Sequence, residues 1–272
     1  MSLRIQNNVE AFNAHRNLEN TEGALSQSME RLSSGYRINR AADDAAGLAI
    51  SERLRGQING LDQAQRNVQD AISLVQTAEG SLTEVHAMLQ RVRELAVQYK
   101  NGSLSTADRT AIQSEVYQLA SEIERIGSSS QFNGINLLNS TQTISFQIGA
   151  KDGETITVST ISLGAAAGGV GTNYFALTSA GTTDISEIDA AIDNVSATRA
   201  TFGAVQNRLE YTLQNAAIYE ENLTSSESRI RDVDMASEMV NFTKLQILQQ
   251  AGTSMLAQAN QASQGVLALL RG

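Results

Sequence analysis

The residues best able to do chemistry stand close together in the stretch LSSGYRINRAADDAAGLAIS, residues 32–51. Asp43 and Asp44 are adjacent carboxylates, a residue type that can bind metal ions or exchange protons, and Arg37 and Arg40 precede them. Adjacent residues of a helix do not face each other, and the stretch holds no histidine and no further carboxylate. We therefore favour a surface position, a helix cap or a contact between subunits over catalysis or metal binding.

The other candidates for chemistry are isolated. His15 and His86 are the two histidines; neither lies in an H-E-x-x-H motif, and the chain has no cysteine. The serines lack the G-x-S-x-G setting of an activated nucleophile, and GAAAGGVG at residues 164–171 lacks the Lys-Ser/Thr pair of a phosphate loop. We predict no catalytic residue, no cofactor and no metal site, and hence a protein that is not an enzyme.

The composition favours long helices and a partner that is not held by positive charge. The 272 residues include no proline, the residue that most strongly interrupts helices. Aromatic residues make up 4% of the chain, so its core must be built from Leu, Ile, Val and Ala. With 20 Lys and Arg against 29 Asp and Glu, the formal charge is −9, which argues against nucleic acid or an anionic membrane as a partner.

Apolar residues repeat with a helical period over three long segments, which predict helices at 45–100, 105–127 and 184–229. The first segment carries a heptad-type seam with a phase shift near Leu82. Asn101-Gly102 is typical of a helix end, and Ser105 with Asp108 is typical of a capping box that starts the next helix. The seam positions assigned to the first helix are Leu54, Ile58, Leu61, Val68, Ile72, Val75, Leu82, Val85, Leu89, Val92, Ala96 and Tyr99.

The apolar period changes between the second and third of these helices. Ile144, Phe146 and Ile148 alternate with polar residues, and alternation resumes after Asp152-Gly153, which is a strong hairpin signal. We predict a small β region at 140–182, with a further short strand at 174–177. The predicted fold is mainly α: an elongated bundle of long coiled-coil-like helices with a β hairpin between the second and third rod helices.

Both ends of the chain are amphipathic but poor in apolar surface. Residues 1–44 and 230–272 are rich in Ala, Asn, Gln and Ser, so neither end buries enough apolar surface to hold itself together. We expect the two ends to pair with each other or with copies in other subunits. The predicted domains are therefore 1–44, a terminal helix with a joint; 45–229, the rod; and 230–272, the second terminal helix.

Several motifs resemble those of bacterial flagellins. They are ERLSSGYRINRAADDAAGLAISERLRGQINGL, LQRVRELAVQ, SQFNGINLL, FQIGAKDG, ENLTSSESRIRDVDMASEMVNFTK and LAQANQASQGVLALL. Together they cover both ends and nearly all of the helical chain. Ala262 stands where many family members have proline, and the short segment at 140–182 indicates a minimal member without large outer domains.

The resemblance implies that both termini pair as the inner coiled coil of a flagellar filament used for motility. It also implies termini that stay disordered until assembly, and a joint at residues 33–47 between the inner helix and the rod. The residues it assigns to the joint are Gly35, Arg37, Arg40, Asp43 and Asp44. The residues it assigns to the inner coiled coil and to polymerisation are Leu3, Ile5, Val9, Phe12, Leu256, Val266, Leu269 and Leu270.

The partners and location implied by the resemblance follow from that filament. The chain would bind copies of itself, a flagellar export chaperone, the export apparatus, and hook-associated junction and cap proteins, with no nucleic acid and no membrane. It would lie outside the cell, in the flagellum. The start of the chain lacks the apolar stretch of a secretory signal, so we expect export without a cleaved N-terminal signal peptide.

Two further hypotheses stay open from the sequence. Arg91, Leu95 and Glu115 match positions through which some flagellins contact the innate immune receptor for flagellin of animals; alternatively, Leu95 packs in the seam and the two charged residues contact neighbouring subunits. The alternative function is a hook–filament junction protein, which has related ends but caps instead of repeating. A filament with an enzyme in its middle is disfavoured because the segment at 140–182 has no catalytic constellation.

Overall fold

A computed structural model describes residues 8–163 and 184–271, and in the last helix it describes the side chains as far as residue 261. The predicted short strand at 174–177 and the loop at 164–171 lie outside the described residues. The helices of the described chain are α1 (Val9–Ser34), α2 (Ala45–Tyr99), α3 (Thr106–Ser129), α4 (Asp184–Arg231) and α5 (Met235–Arg271). The strands are β1 (Gln131–Phe132), β2 (Ile135–Asn136), β3 (Thr143–Gln147) and β4 (Thr155–Ser159). The mainly helical fold class is confirmed.

The apolar seam of α2 is regular, without the phase shift predicted near Leu82. Buried side chains follow each other at alternating steps of three and four residues along the helix. They are Leu61, Ala64, Val68, Ala71, Val75, Ala78, Leu82, Val85, Leu89, Val92 and Ala96. The prediction placed Ile72 in the seam because it favoured large residues, whereas the small Ala71 occupies that position and Ile72 lies at its margin.

The helices α3 and α4 complete the core that α2 begins. The capping box at the start of α3 is present: the Asp108 amide donates to Ser105 Oγ over 3.2 Å, and the Ser105 amide donates to Asp108 Oδ2 over 3.0 Å. Satisfying both amides fixes where α3 begins. The two helices add a row of buried apolar residues each: Ile112, Val116, Ala120 and Ile123 from α3, and Ile188, Ala191, Val195, Phe202 and Leu209 from α4.

The β region contains two hairpins and starts earlier than the predicted residue 140. In β3–β4, Ile144 pairs with Val158, and the inward side chains of β4 are buried, as alternation predicts. In β1–β2, the turn residues Asn133 and Gly134 both have positive φ, 48° and 79°, which suits a two-residue hairpin turn. Strands of two residues are too short to show a period, so no alternation of apolar residues predicts them.

The contacts divide the chain into two units, and the core lies in one of them. Unit 2 is residues 57–221, and unit 1 is residues 1–56 with 222–272. In unit 1, the one buried apolar side chain among those described is Ile38. The unit boundaries fall inside α2 and α4, at 56/57 and 221/222, whereas the predicted domain limits are 44/45 and 229/230, which stay a prediction.

A matched pair of glycines in α2 tests how the second hairpin packs on this helix. A Cβ at Gly60 would lie 2.9 Å from the Cβ of Ala150 in the β3–β4 turn, whereas a Cβ at Gly80 would have no atom within 4 Å. We expect Gly80→Ala to raise the free energy of unfolding by about 0.5–1 kcal/mol, because Ala is the better helix former. Gly60→Ala should lower it, since the turn must move away; thermal unfolding followed by circular dichroism measures both. Equal gains from both variants would contradict this packing.

Candidate functional site

The joint begins where α1 ends. Gly35 has a φ of 76°, and its amide donates to the carbonyl of Arg31 over 2.9 Å. This left-handed conformation ends a helix at little cost when the residue is glycine. Ile38, which is 1% exposed, then anchors the joint. The resemblance assigned Gly35 to the joint, but Ile38 was missed because a single apolar residue there has no periodic neighbours.

The joint forms an antiparallel bridge with the segment between α4 and α5. Tyr36 pairs with Asp232, the Arg37 amide donates to the Arg231 carbonyl over 2.7 Å, and the Val233 amide donates to the Gly35 carbonyl over 3.0 Å. The bridge therefore holds together the two places where the chain leaves one helix and enters another. Nothing in the spacing of the sequence could predict a pairing across such a separation.

The side chain of Arg231 binds two other parts of unit 1 at the bridge. Its guanidinium donates to Glu52 Oε1 of α2 over 2.6 Å and lies 4.7 Å from the centre of the Tyr36 ring. The hydrogen bond from Arg231 holds the pKa of Glu52 below its ordinary value. The guanidinium of Arg37 donates to the Ile230 carbonyl at the end of α4 over 2.5 Å. Charged side chains thus reinforce the bridge on both sides.

Asp43 holds the backbone of the joint. Its Oδ2 accepts the amides of Arg40 and Asn39 over 2.9 and 3.1 Å, and its Oδ1 accepts the side-chain amide of Gln27 of α1 over 2.8 Å. The bond from Arg40, then that from Asn39, lowers the pKa of Asp43 from its ordinary value of 3.8. Asp43 therefore acts as a carboxylate that closes a turn.

Asp44 caps α2, and Arg40 binds α1. The Gly47 amide donates to Asp44 Oδ1 over 2.8 Å, at the start of α2. Arg40 Nε donates to Glu30 Oε1 over 2.9 Å. The two adjacent carboxylates thus bind backbone amides at separate places, and within residues 8–163 and 184–271 no three His, Asp or Glu side chains are grouped so as to hold a metal ion.

The terminal helices α1 and α5 pack antiparallel. Near one end, Asn8 Nδ2 donates to the Ala259 carbonyl over 2.9 Å. Near the other end, Ser28 Oγ donates to Glu238 Oε1 over 2.5 Å. The predicted pairing of the termini is confirmed. None of the helices in the described part of the chain combines the length and apolar character that a membrane span needs.

The residues assigned to polymerisation are only partly described. Val9 and Phe12 of α1 are 54% and 71% exposed, so the chain's own α5 leaves them largely uncovered, while Leu256 is partly buried. Leu3 and Ile5, and the side chains of Val266, Leu269 and Leu270, lie outside the described residues. Their role in assembly stays a prediction.

The three residues of the possible receptor contact lie in unit 2. Arg91 Nη2 of α2 and Glu115 Oε1 of α3 are 2.9 Å apart, and both side chains are about half exposed. The hydrogen bonds to Glu115 and then Glu94 raise the pKa of Arg91. Leu95 is 2% exposed and belongs to the core. The charged pair thus joins α2 to α3, and Leu95 packs in the seam.

A surface groove of about 650 Å³ also lies in unit 2, between α2, the turn of the second hairpin and α4. Tyr211 and Tyr219 of α4 form one side of it, and Lys151 and Glu154 lie at the turn. The Lys151 amide donates to Glu154 Oε2 over 3.2 Å, so the carboxylate holds its own turn. The described residues that line the groove include no histidine, aspartate, serine or cysteine.

Two family models match most of the chain. One, described as the bacterial flagellin N-terminal helical region, matches residues 5–143. The other, described as the bacterial flagellin C-terminal helical region, matches residues 185–270. The matched ranges include the joint, both terminal helices and the helices of the core.

Similar proteins match over nearly the whole length. A flagellin from Halalkalibacterium halodurans is 51% identical over 98% of this chain and 99% of its own length. A flagellin from Bacillus subtilis is 48% identical over 99% of this chain and 100% of its own length. A solved structure of a putative flagellar hook-associated protein from Vibrio parahaemolyticus has a TM-score of 0.60 over 70% of this chain and 100% of that chain. At 16% identity, that likeness shows a shared fold alone.

The lowered pKa of Asp43 predicts an acid-sensitive joint. A carboxylate whose pKa is depressed by folding stabilises the folded joint above the ordinary pKa of 3.8, and this contribution is lost as the pH falls through the folded value. At neutral pH, the joint of Asp43→Asn should open more often than that of the wild-type chain. Below about pH 4, the opening of the variant's joint should depend less on pH than that of the wild type. Pulsed hydrogen exchange of peptides from residues 33–51, after equilibration at each pH, measures the opening.

Asp44→Asn is the matched control for this prediction. Asparagine is as good a helix cap as aspartate, so the variant should keep both the protection and its acid dependence. An acid dependence that persists in Asp43→Asn would show that another group opens the joint.

Proposed function

This chain belongs to the bacterial flagellin family and is a structural subunit of the flagellar filament, and we propose that it polymerises by completing the fold of its terminal helices against neighbouring copies. The family assembles into a filament outside the cell and associates with hook-associated proteins. Because the relatives at 51% and 48% identity are flagellins over their whole length, nothing favours the hook–filament junction alternative.

The observation that carries the proposal is the small number of buried apolar side chains in the described part of unit 1. A fully buried aliphatic side chain stabilises a fold by about 1.5–3 kcal/mol, and the described part of unit 1 contains one, Ile38. A helix pair without such burial is marginal in water. The apolar residues needed to stabilise it are present but lie on its surface.

Large exposed apolar side chains concentrate on this unit. Val240 is 72% exposed, Phe12 71%, Met255 64% and Ile247 61%. Surfaces of this kind mark contacts with other proteins. Copies of the chain supply the matching apolar surface in a filament, so folding and binding are coupled, and the cost of ordering the ends is offset on assembly.

The proposal extends to export and to other partners. It includes an export chaperone and the export apparatus, with export independent of a cleaved signal peptide, and a cap protein at the growing end. Marginal terminal helices support it, because a segment without its own core is easily kept unfolded.

Recognition by the animal innate immune receptor is proposed through Arg91 and Glu115. Their charged groups are exposed and adjacent in the free chain, which supports a polar contact. Leu95 would act by packing beneath them, since it is 2% exposed.

A charge placed on the exposed apolar face tests the proposed assembly. Val240→Asp puts a carboxylate where we expect a neighbouring copy, and burying it there would cost several kcal/mol. Asn241→Asp adds the same charge at the next, exposed position. We expect Val240→Asp to block filament growth from seeds, seen by electron microscopy, with the helical signal of the monomer unchanged. Wild-type growth by Val240→Asp, or equal loss in both variants, would contradict the assignment of this face.

Removal of the last seven residues tests the end of α5. This truncation deletes Val266, Leu269 and Leu270, which the family resemblance assigns to the inner coiled coil. We expect no polymerisation while the helical signal of unit 2 persists in circular dichroism. Stable filaments from the truncated chain would refute this assignment.

A further inference from the structure

The contact between α1 and α5 buries polar side chains most deeply, next to partly buried apolar ones such as Leu25, Phe242 and Leu245. Ser28 and Glu238, which are 2% and 8% exposed, are the buried side chains among those described in the two helices. Next to Glu238, Met239 is 49% exposed and Val240 is 72% exposed. The inward stripe of α5 continues from Glu238 to the partly buried Phe242 and Leu245. The buried carboxylate thus occupies one position of a stripe where an apolar residue would gain burial.

Three side chains form this polar cluster: Ser28 and Glu238, which are buried, and Arg31, whose side chain is 27% exposed. Ser28 Oγ donates to Glu238 Oε1 over 2.5 Å, and Arg31 Nη1 lies 3.9 Å from Glu238 Oε2. Ser28 and Arg31 are three residues apart, so they lie on one face of α1 and reach the same carboxylate. Glu238 stands in the first turn of α5, after Asp234 accepts the first amides of that helix, and this helix end favours negative charge.

We infer that the polar cluster is a positioning device for assembly: it selects the faces and the register in which α1 and α5 meet, and so turns the apolar face of α5 toward a second copy of the chain. The inference rests on the proposed function, because an outward apolar face is useful only in a polymer. Buried polar groups that fix register in paired helices are the best-attested use of such groups.

Other registers would leave the cluster unsatisfied. A shift of one heptad along α1 would bring Glu238 opposite Thr21 and Ala24, neither of which can supply a positive charge. A shift of one heptad in the opposite direction would place Leu245 where Glu238 stands and leave Arg31 without its carboxylate. An unpaired buried charge is strongly unfavourable, so the cluster discriminates between registers.

The other contacts of the pair discriminate less. Asn8 donates to the carbonyl of Ala259, and every residue of α5 offers a carbonyl. Leu18 packs on Gly252 without being fully buried. The bridge at the joint limits sliding at one end but makes no contact that fixes the rotation of α5 about its own axis. The partly buried Phe242 and Leu245 favour the same face, and the polar cluster adds the contact that is specific to one register.

A pair of cysteines can report the face, because the natural chain has no cysteine. A Cβ at position 252 would lie 3.9 Å from the Cβ of Leu18, within the range of about 3.5–4.5 Å for a disulfide. The reporter variant is Leu18→Cys with Gly252→Cys. The comparison variant is Leu18→Cys with Thr253→Cys, whose second cysteine lies about 100° further round the helix.

Each reporter is built into the full-length chain with its native cluster, with Glu238→Leu, and with Glu238→Gln as the matched control. Filaments are oxidised, dissociated and separated on a non-reducing gel, where a disulfide within one chain keeps the monomer mass. With the native cluster, the 18–252 disulfide should form in much higher yield than the 18–253 disulfide. Glu238→Gln keeps an oxygen acceptor for Ser28 but removes the charge beside Arg31, so the ratio should fall less than it does in Glu238→Leu.

In Glu238→Leu filaments, the ratio of the two disulfides should fall severalfold. The midpoint of thermal dissociation should not fall, since an apolar replacement of a buried ion pair is often neutral or stabilising. An unchanged ratio would overturn the inference, and a lower midpoint with an unchanged ratio would identify the cluster as ordinary stabilisation. If Glu238→Leu does not assemble, Ser28→Ala takes its place with the same expected fall, and an unchanged ratio there overturns the inference as well.

The two proposals fail in different ways. Native chains that form no filaments from seeds would refute the proposed function, and the inference that rests on it. Filaments of normal appearance with an unchanged disulfide ratio in the cluster variants would refute the positioning role alone.

Discussion

The antiparallel bridge between residues 35–37 and 231–233 is the contact on which unit 1 depends. The chain leaves α1 and enters α2 on one side of the bridge, and it leaves α4 and enters α5 on the other. Backbone hydrogen bonds, the ion pair of Arg231 with Glu52 and the turn closed by Asp43 all converge there. Because the bridge lies beside the last residue of α1 and the first of α5, its backbone hydrogen bonds hold the adjoining ends of these helices side by side.

Stability and assembly draw on different surfaces of the chain. In unit 2, a seam of Leu, Val and Ala residues buries its apolar side chains almost completely, which is what a self-sufficient core requires. In unit 1, α1 and α5 bury a serine and a glutamate and expose valine, methionine and isoleucine. Apolar side chains thus stabilise the monomer in unit 2, whereas in unit 1 many of them stay exposed for contacts with other copies.

The sequence predicted what periodicity and local capping control. The heptad spacing of α2 and the capping box at Ser105 depend on neighbours within a few residues, and both are present. The bridge at Tyr36 and the burial of Glu238 depend on segments far apart in the chain, and no local pattern reports such contacts. The β1–β2 hairpin was missed because its strands are two residues long, which is too short to show alternation. For Asp43, the sequence predicted only the kind of role, that of a surface or capping carboxylate, and not the amides that it binds.

A pair of terminal helices that buried all its apolar side chains within one chain would leave no apolar surface for contacts with other subunits. If α5 turned its valine and methionine side chains toward α1, a neighbouring copy would lose the apolar surface that it needs. A buried carboxylate opposes that rotation, because its charge must stay beside Arg31 and its oxygen beside Ser28. The low apolar burial of unit 1 is then a condition of polymerisation. Apolar side chains that do not stabilise the monomer are left to stabilise the contacts between neighbouring copies.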